Sequence, residues 1–474
     1  MSEITFYWHD YEAGGVNPRV DRPMQFAGIR TNAALDTVGE PLNIFCQLPA
    51  DYLPHPEACL ITGITPQQCQ RDGYLETEFA GKIAYELAQP NTVAVGYNNL
   101  RYDDEMTRFL FYRNFIDPYA HTWANQNSRW DLLELVRACF ALRPEGIIWP
   151  HHDDGRVSLK LEDLAKANAL DNGQAHDALV DVYATIALAK LIKNKQPKLF
   201  DYTFNHRKKA TLLPLVNESI LNGKPLVHVS GFYGATDSYC KLVLPFAFHP
   251  TQPNTVLAWR LDKDPTPWLN SSIDTILEAL YARDSSQNER PGLIKIALNQ
   301  CPFLAPSPVL STERASKLGI DLFACQRFAT IVQSQPDFRQ KLTDVFQSTP
   351  ELTPAEDVDQ ALYNDFFNPQ SQSHMQMIRN LPPEQLAAKD FEFSDLRFST
   401  LLFRYRARNY PATLSMVEQQ RWLTHCRERI QFGGNGYLSA DEFMLALNNA
   451  AEREQDNPKN TRILKDLYIW IQNL

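Results

Sequence analysis

The pattern of apolar and polar positions divides the chain into three stretches of different character. From Ile4 to Glu12 the run ITFYWHDYE is rich in β-formers, and QFAGIRTN and NIFCQLP follow at short spacing, which predicts three neighbouring strands. A helical stretch near Leu75 to Leu87, a strand TVAVGY at 92 to 97, and the helical segments DDEMTRFLFYRNF and RWDLLELVRACFAL extend this into an α/β pattern. Two more helices, SLKLEDLAKANAL and DALVDVYATIALAKLI, precede the polar tract NKQPK at 194 to 198, the first expected boundary. Residues 225 to 262 then switch to short β-rich pieces (PLVHVSG, YCKLVLPFAF, NTVLAWRL) separated by Gly, Pro and Asn, which predicts a small, strongly bent sheet or barrel. Helical pattern resumes around 271 to 284 and 311 to 347. The segment STPELTPAEDVDQ, with prolines and acidic residues but no apolar periodicity, reads as a linker near 348 to 360, and a third, helical domain runs to Leu474. The expected division is 1–196, 197–350 and 355–474.

Composition narrows the class. A length of 474 residues leaves room for several cores, and 44% hydrophobic with 22% charged residues is a globular profile. No apolar run approaches the ~20 residues of a membrane helix, and the N-terminus has no basic region followed by an apolar one, so a cytoplasmic protein without membrane contact is expected. The eight cysteines are scattered without a C-x-x-C pair, which favours single buried thiols over bridges or a zinc cluster. Lys and Arg number 46 against 56 Asp and Glu, a net charge of -10. That balance excludes a protein that coats nucleic acid through bulk charge but leaves room for a local basic groove.

Three places carry candidate chemistry. Asp10 and Glu12 are two apart on a strand, so both project from one face, where they are either a solvated pair or the start of a site for a hard divalent ion. Asp103 follows an apolar strand and begins a helix, the junction at which open α/β sheets place ligands; it is equally suited to cap that helix. In AHDALVDVYAT, Asp177 is a natural N-cap, His176 sits just before the helix and Asp181 lies about one turn into it. Surface positions would explain the last two as well as a shared site would.

Together, D-x-E at Asp10 and Glu12, N-x-x-Y-D from Asn99 to Asp103, and H-x-x-x-x-D from His176 to Asp181 resemble the DEDD superfamily of 3′ to 5′ exonucleases, in its histidine-containing branch. The segments HDYE, VDRPMQFAGIR, LITGITPQ, GYNNLRYDDE, NSRWDLL, RACFALRPEGI, PLVHVSG, LYNDFF and RYRARNYP are similar to the bacterial exonuclease I family over nearly the whole chain. The resemblance implies an α/β fold with a ribonuclease-H-like exonuclease domain, a middle domain with a Src-homology-3-like β-barrel, and an all-α C-terminal domain. It implies processive 3′ to 5′ hydrolysis of single-stranded DNA to 5′-mononucleotides in repair and recombination, by a monomer using two Mg²⁺ ions that Mn²⁺ can replace. Asp10 would bridge the ions, Glu12 and Asp181 would hold the nucleophile-side ion, Asp103 would serve the leaving-group side, and His176 would be the general base.

The same resemblance places Glu12, Ala13, Arg137 and Lys160 against substrate, and Arg143 and Tyr202 against the C-terminal tail of single-stranded DNA-binding protein. Ala13 stands where much of the superfamily has Thr or Ser, and Lys160 where an arginine is expected, which keeps the charge but loses bidentate phosphate geometry. In FRYRARNY, Arg404, Arg406 and Arg408 alternate with aromatics, a composition suited to phosphate contact and base stacking, or else to a helix with solvated arginines and a buried aromatic stripe. His206 to Lys209 form a second basic cluster. An exoribonuclease would use the same carboxylates, but the short RNA-trimming relatives lack a counterpart to residues 200 to 474.

Overall fold

The structure is a computed structural model that describes residues 3–170, 177–282, 290–347, 353–389 and 391–473. Backbone contacts group the chain into two units, one of Met1–Ser128, Asn172–Ile186 and Thr353–Leu474, the other of Arg129–Asp171 and Ala187–Leu352.

The first unit is built on five adjacent strands of a sheet, in the order β4-β3-β2-β1-β5: β1 Thr5–Ala13, β2 Pro23–Thr31, β3 Thr37–Cys46, β4 Gly73–Tyr74 and β5 Thr92–Gly96. β1 pairs antiparallel with β2, placing Asp10 opposite Ala27 and Glu12 opposite Gln25, with a bulge between Glu12 and Ala13. Its parallel pairing with β5 ends at Trp8 and Val95, so Asp10 and Glu12 lie beyond the carboxyl end of that ladder. Tyr7, Tyr11 and Ala13 enter a core with Phe26, Phe79, Ile83 and Met106 from β2 and the helices α1 (Glu76–Leu87) and α2 (Asp103–Arg113). Alternation therefore turns Asp10 and Glu12 to the opposite face. Helix α3 (Ala178–Lys195) brings Asp181 in its first turn.

The C-terminal helices belong to this unit because they complete two of its cores. Phe443, Leu447, Ile463, Leu464 and Leu467, on α6 (Ala440–Arg453) and α7 (Pro458–Gln472), pack with Met24, Leu48, Leu53, Cys59 and Cys69. Phe398, Leu401 and Tyr405 of α4 (Leu396–Asn409) pack with Phe109, Tyr112 and Phe115 of the α2 region, and α5 (Met416–Phe432) follows. Within the expected linker, residues 348–352 lie outside the described residues. The remainder is a correction: Val358–Tyr363 form a short 3₁₀ helix with Asp357 as its cap and Asp359 fully buried. A stretch of acids without apolar periodicity reads as solvated unless its counter-charges, distant in sequence, are known.

The second unit holds a five-stranded antiparallel sheet, order β9-β8-β7-β6-β10: β6 Leu226–Val229, β7 Cys240–Phe248, β8 Thr255–Arg260, β9 Leu293–Ala297 and β10 Phe303–Pro306. A register shift between Pro245 and Ala247 bends β7. The expected helix over 271–284 is Ile273–Tyr281, and that over 311–347 is three helices, broken at Gly319 in the left-handed region (φ 65°) and at Pro336. Among the described residues no helix is long and apolar enough to cross a membrane. Seven cysteines are buried, Cys426 is half-buried, and all are free thiols.

Candidate active site

Asp10, Glu12 and Asp181 each offer a carboxylate oxygen within 4.8 Å of the others, and all three are half-buried. Strand alternation puts the first two on one face, and α3 supplies the third from its first turn. That helix start is fixed by Asp177, whose Oδ1 accepts the Leu179 N–H at 2.9 Å, as its N-cap pattern predicts. His176 lies outside the described residues.

Asp103 opens α2 and is buried, and its Oδ1 accepts the backbone N–H of Tyr11 at 3.2 Å. Tyr11 stands between Asp10 and Glu12, so this bond ties the helix start to the strand at the carboxylate pair. Asp103 is the first residue of α2 rather than its cap, and its charge lies close enough to Asp10 to raise that carboxyl.

The loop after Glu12 is held tightly. Tyr102 donates its hydroxyl to the Gly15 carbonyl at 2.5 Å, and the Asp21 carboxylate accepts the Asn17 N–H at 2.7 Å and the Tyr52 hydroxyl at 2.8 Å. A Cβ at Gly14 would lie 2.3 Å from the Tyr52 hydroxyl and one at Gly15 2.4 Å from Asp21, so a side chain at either position would displace the hydrogen-bonded Tyr52–Asp21 pair.

Burial raises the Asp10 carboxyl well above the usual carboxylate range, and the charges of Asp103 and Asp181 raise it further. Glu12 is pushed up to about 9 by burial, with Asp10, Asp181 and Asp177 adding to it. Several carboxylates drawn from water with like charges as neighbours have an unmet demand for positive charge. Neighbouring His9 points the other way, stacked on Phe26 at 5.8 Å, and burial lowers it to about 4, so it stays neutral.

The other expected contacts are distributed as follows. Lys160 is exposed at the start of the helix Leu161–Ala167. Arg137 pairs with Glu134 at 2.6 Å and lies over the Tyr239 ring at 5.8 Å. Arg143 and Tyr202 line one cavity of about 460 Å³, with Lys198, Leu199, Phe303 and Val309 among its other walls. Beside it Arg314 donates to the carbonyls of Ala141 (2.6 Å) and Phe140 (2.5 Å), satisfying the end of the helix Leu132–Leu142.

The expectation for Arg404, Arg406 and Arg408 is corrected. Arg408 bonds both Asp51 (2.6 Å) and Asp359 (2.5 Å), Arg404 bonds Asp357 (2.7 Å), and Arg406 bonds Glu418 (2.6 Å). All three guanidiniums are nearly excluded from solvent, between 3% and 11% exposed. Carboxylates of this chain, most of them remote in sequence, take up the guanidiniums that were expected to meet phosphates.

Sequence reasoning missed two exposed aromatics, of which Tyr363 sits against the start of α2 and the loop after Glu12. Phe366 is 90% and Tyr363 40% exposed, and exposed Arg19, from the loop that follows Glu12, lies 5.5 Å from the Tyr363 ring centre. The signal was present in LYNDFF, two adjacent phenylalanines in an otherwise polar stretch.

Comparison with known proteins matches this architecture. A family model described as Exonuclease matches residues 7–189, one described as Exonuclease I SH3-like domain matches 207–348, and one described as Exonuclease I C-terminal domain matches 356–474. Exodeoxyribonuclease I of Haemophilus influenzae is 45% identical over 475 residues, covering 99% of this chain and 98% of its own. That of Escherichia coli strain K12 is 44% identical over 479 residues, covering 100% and 98%. The crystal structure of E. coli exonuclease I in complex with a dA16 oligonucleotide superposes with a TM-score of 0.95 at 43% identity, covering 99% of this chain and 100% of that one. A zinc-bound complex of the same enzyme with single-stranded DNA gives 0.94 at 43%, covering 100% and 99%, and a structure of SSB/exonuclease I with an inhibitor gives 0.91 at 42%, covering 100% of both chains. With this identity along its full length and an acidic cluster at the end of its central strand, the chain belongs to the exodeoxyribonuclease I family.

Proposed function

We propose that the protein degrades single-stranded DNA processively from the 3′ end to 5′-mononucleotides, in DNA repair and recombination, as a cytoplasmic monomer. The observation that carries this reading is the approach of Asp10, Glu12 and Asp181 to within 4.8 Å, with Asp103 tied to the same strand. An all-oxygen donor set whose protons are held by burial and by mutual repulsion fits Mg²⁺, with Mn²⁺ as a substitute. When bound, two such ions supply charge neutralisation at the phosphoryl and departing oxygens and lower the pKa of the attacking water.

In this reading Asp10, Glu12, Asp181 and Asp103 would hold the two ions, Asp10 serving both, Glu12 and Asp181 the nucleophile side and Asp103 the leaving-group side. His176, five residues before Asp181, takes the proton of the attacking water, which suits an imidazole at neutral pH. Ala13 lacks a side-chain donor and offers its backbone N–H at the bulge to the terminal nucleotide, alongside Glu12. Tyr363 and Phe366 give bases a surface to stack on, and Arg19 supplies charge for the phosphates between them. Lys160 and Arg137 are further candidate phosphate contacts. The cavity of Arg143 and Tyr202 combines apolar walls with Lys198, which suits an acidic, hydrophobic peptide end such as the tail of single-stranded DNA-binding protein.

Digestion of end-labelled single- and double-stranded DNA and RNA, with Mg²⁺ and with a chelator, tests the reading. Mononucleotides released from the 3′ end of single-stranded DNA, only in the presence of the ion, are expected. Metal-independent cleavage, or an equal rate on RNA, would overturn it.

A further inference from the structure

The acidic pair Asp357 and Asp359 flanks the start of the 3₁₀ helix Val358–Tyr363, which leads directly to Phe366. Asp359 is fully buried and gathers four guanidiniums: Arg408 at 2.5 Å, Arg22 at 3.1 Å, Arg404 at 3.3 Å and Arg429 at 3.4 Å. These come from the approach to β2, from α4 and from α5. Asp357 repeats the pattern, bonding Arg404 at 2.7 Å and also Arg429.

The same short helix is fastened to α2. Tyr112 donates its hydroxyl to the Val358 carbonyl at 2.9 Å, and the Tyr363 hydroxyl donates to both Glu105 oxygens at 2.7 and 2.8 Å. Arg108 donates to the Tyr363 oxygen at 3.3 Å. Tyr112, Glu105 and Arg108 all lie on α2, whose first residue is Asp103. Apolar packing through Leu362 would hold this segment close but would tolerate sliding, whereas directional bonds to a buried ion specify one register.

We infer that Asp359 is a positioning residue for the DNA strand: the ionic network gathered on it fixes the register of Val358–Tyr363 on α2, and so sets where Tyr363 stands against the helix start that carries Asp103 and where the chain delivers Phe366, three residues on. This rests on the reading under Proposed function. Asp359 touches neither substrate nor ion and acts through the aromatic pair.

The test uses the full-length protein and two variants. Tyr112→Phe removes one anchor with little change of shape. Asp359→Asn combined with Arg404→Gln removes one negative and one positive charge together, so that the net charge of the buried network is unchanged. Thermal unfolding, equilibrium binding of a dT30 strand in chelator, and steady-state kinetics with Mg²⁺ on the 30-mer and on a dinucleotide are measured. Both variants are expected to weaken strand binding and raise KM on the 30-mer about tenfold, the scale of one lost stacking contact, with kcat on the dinucleotide within about twofold. Unchanged binding and KM in two folded variants would overturn the inference, as would KM defects that track unfolding temperature alone. If instead the unaltered protein fails to degrade DNA, the reading of the site itself falls.

Discussion

Two groups of carboxylates in the same unit, both withdrawn from water, meet opposite electrostatic fates. At the end of β1, Asp10 and Glu12 hold their protons far above the usual range, because burial is reinforced by neighbouring carboxylates. Around α4, burial alone would raise Asp359 and Asp51 too, but Arg408 and its fellow guanidiniums outweigh it and hold both well below that range. Glu76 behaves likewise, burial being overcome by Arg113 and Arg22. Depth of burial is thus a poor guide to what a carboxylate does. The presence or absence of its counter-charge decides: the network brings its own cations and is structural, while the β1 cluster has the demand for cations that a divalent-ion site requires.

The sharpest way to break this contrast is to neutralise one member of each group. Asp10→Asn should lose on the order of 10³-fold or more in rate, as the proposed metal-holding role of Asp10 implies, while the metal-free protein unfolds at no lower temperature because a carboxyl disfavoured by burial and by like charges is gone. Near-normal activity, or a marked loss of metal-free stability, would place Asp10 with the structural acids instead. Asp359→Asn should do the reverse to stability. Leaving four arginines around a neutral amide should cost about 3 to 5 kcal/mol, read from denaturant unfolding.

pH sharpens the same comparison, with opposite signs. The folded value of Glu12, about 9, lies above the ordinary 4.5, so its contribution to metal-free stability is complete below about pH 4.5 and is lost as pH rises toward 9. For Asp51 and Asp359 the folded values lie below the ordinary 3.8, so their contribution is present above about pH 4 and is lost as pH falls further. An ion entering the β1 cluster must displace protons, and its affinity should climb by up to about tenfold per pH unit for each proton displaced. The rise in unfolding temperature on adding Mg²⁺ should therefore be larger at pH 9 than at pH 6. An equal rise at both would mean that the cluster is already ionised without metal.

Local pattern made the β1 half of this contrast legible in the sequence. Period-two alternation set Asp10 and Glu12 on one face, the cap signal at Asp177 placed Asp181 one turn into its helix, and the strand-to-helix junction marked Asp103. Each of these is a property of a few consecutive residues. The network was not legible, because Asp51, Asp357 and Asp359 reach Arg404, Arg408 and Arg429, and Glu76 reaches Arg113 and Arg22, only through the tertiary fold. FRYRARNY looks alike whether its arginines face DNA or buried acids, and two of the acids that decide the matter, Asp357 and Asp359, sit in a stretch that reads as linker. The strands β9 and β10 escaped for a different reason: at five and four residues, their alternation is too brief to stand out from the turns around them.

The smallest expected effect separates charge that grips DNA from charge that holds the fold. Arg406 is 7% exposed, and its guanidinium donates to Glu418 at 2.6 Å and to the Thr413 carbonyl at 2.7 Å, so it has little surface to offer a phosphate. Each phosphate contact on a single strand contributes about -0.7 to the slope of log affinity against log salt. Arg406→Gln should leave that slope unchanged within about 0.3, while costing roughly 1 kcal/mol of stability, because Glu418 is partly solvated and recovers water when its partner is lost. Arg19→Gln, in contrast, should reduce the slope by up to the full contact, since Arg19 is exposed beside Tyr363. The two variants are compared by fluorescence binding of a labelled dT30 strand across a salt series in chelator. A slope that falls in Arg406→Gln and holds in Arg19→Gln would reverse the assignment, returning α4 to the DNA path and leaving the arginine of the β1 loop as an ordinary solvated charge.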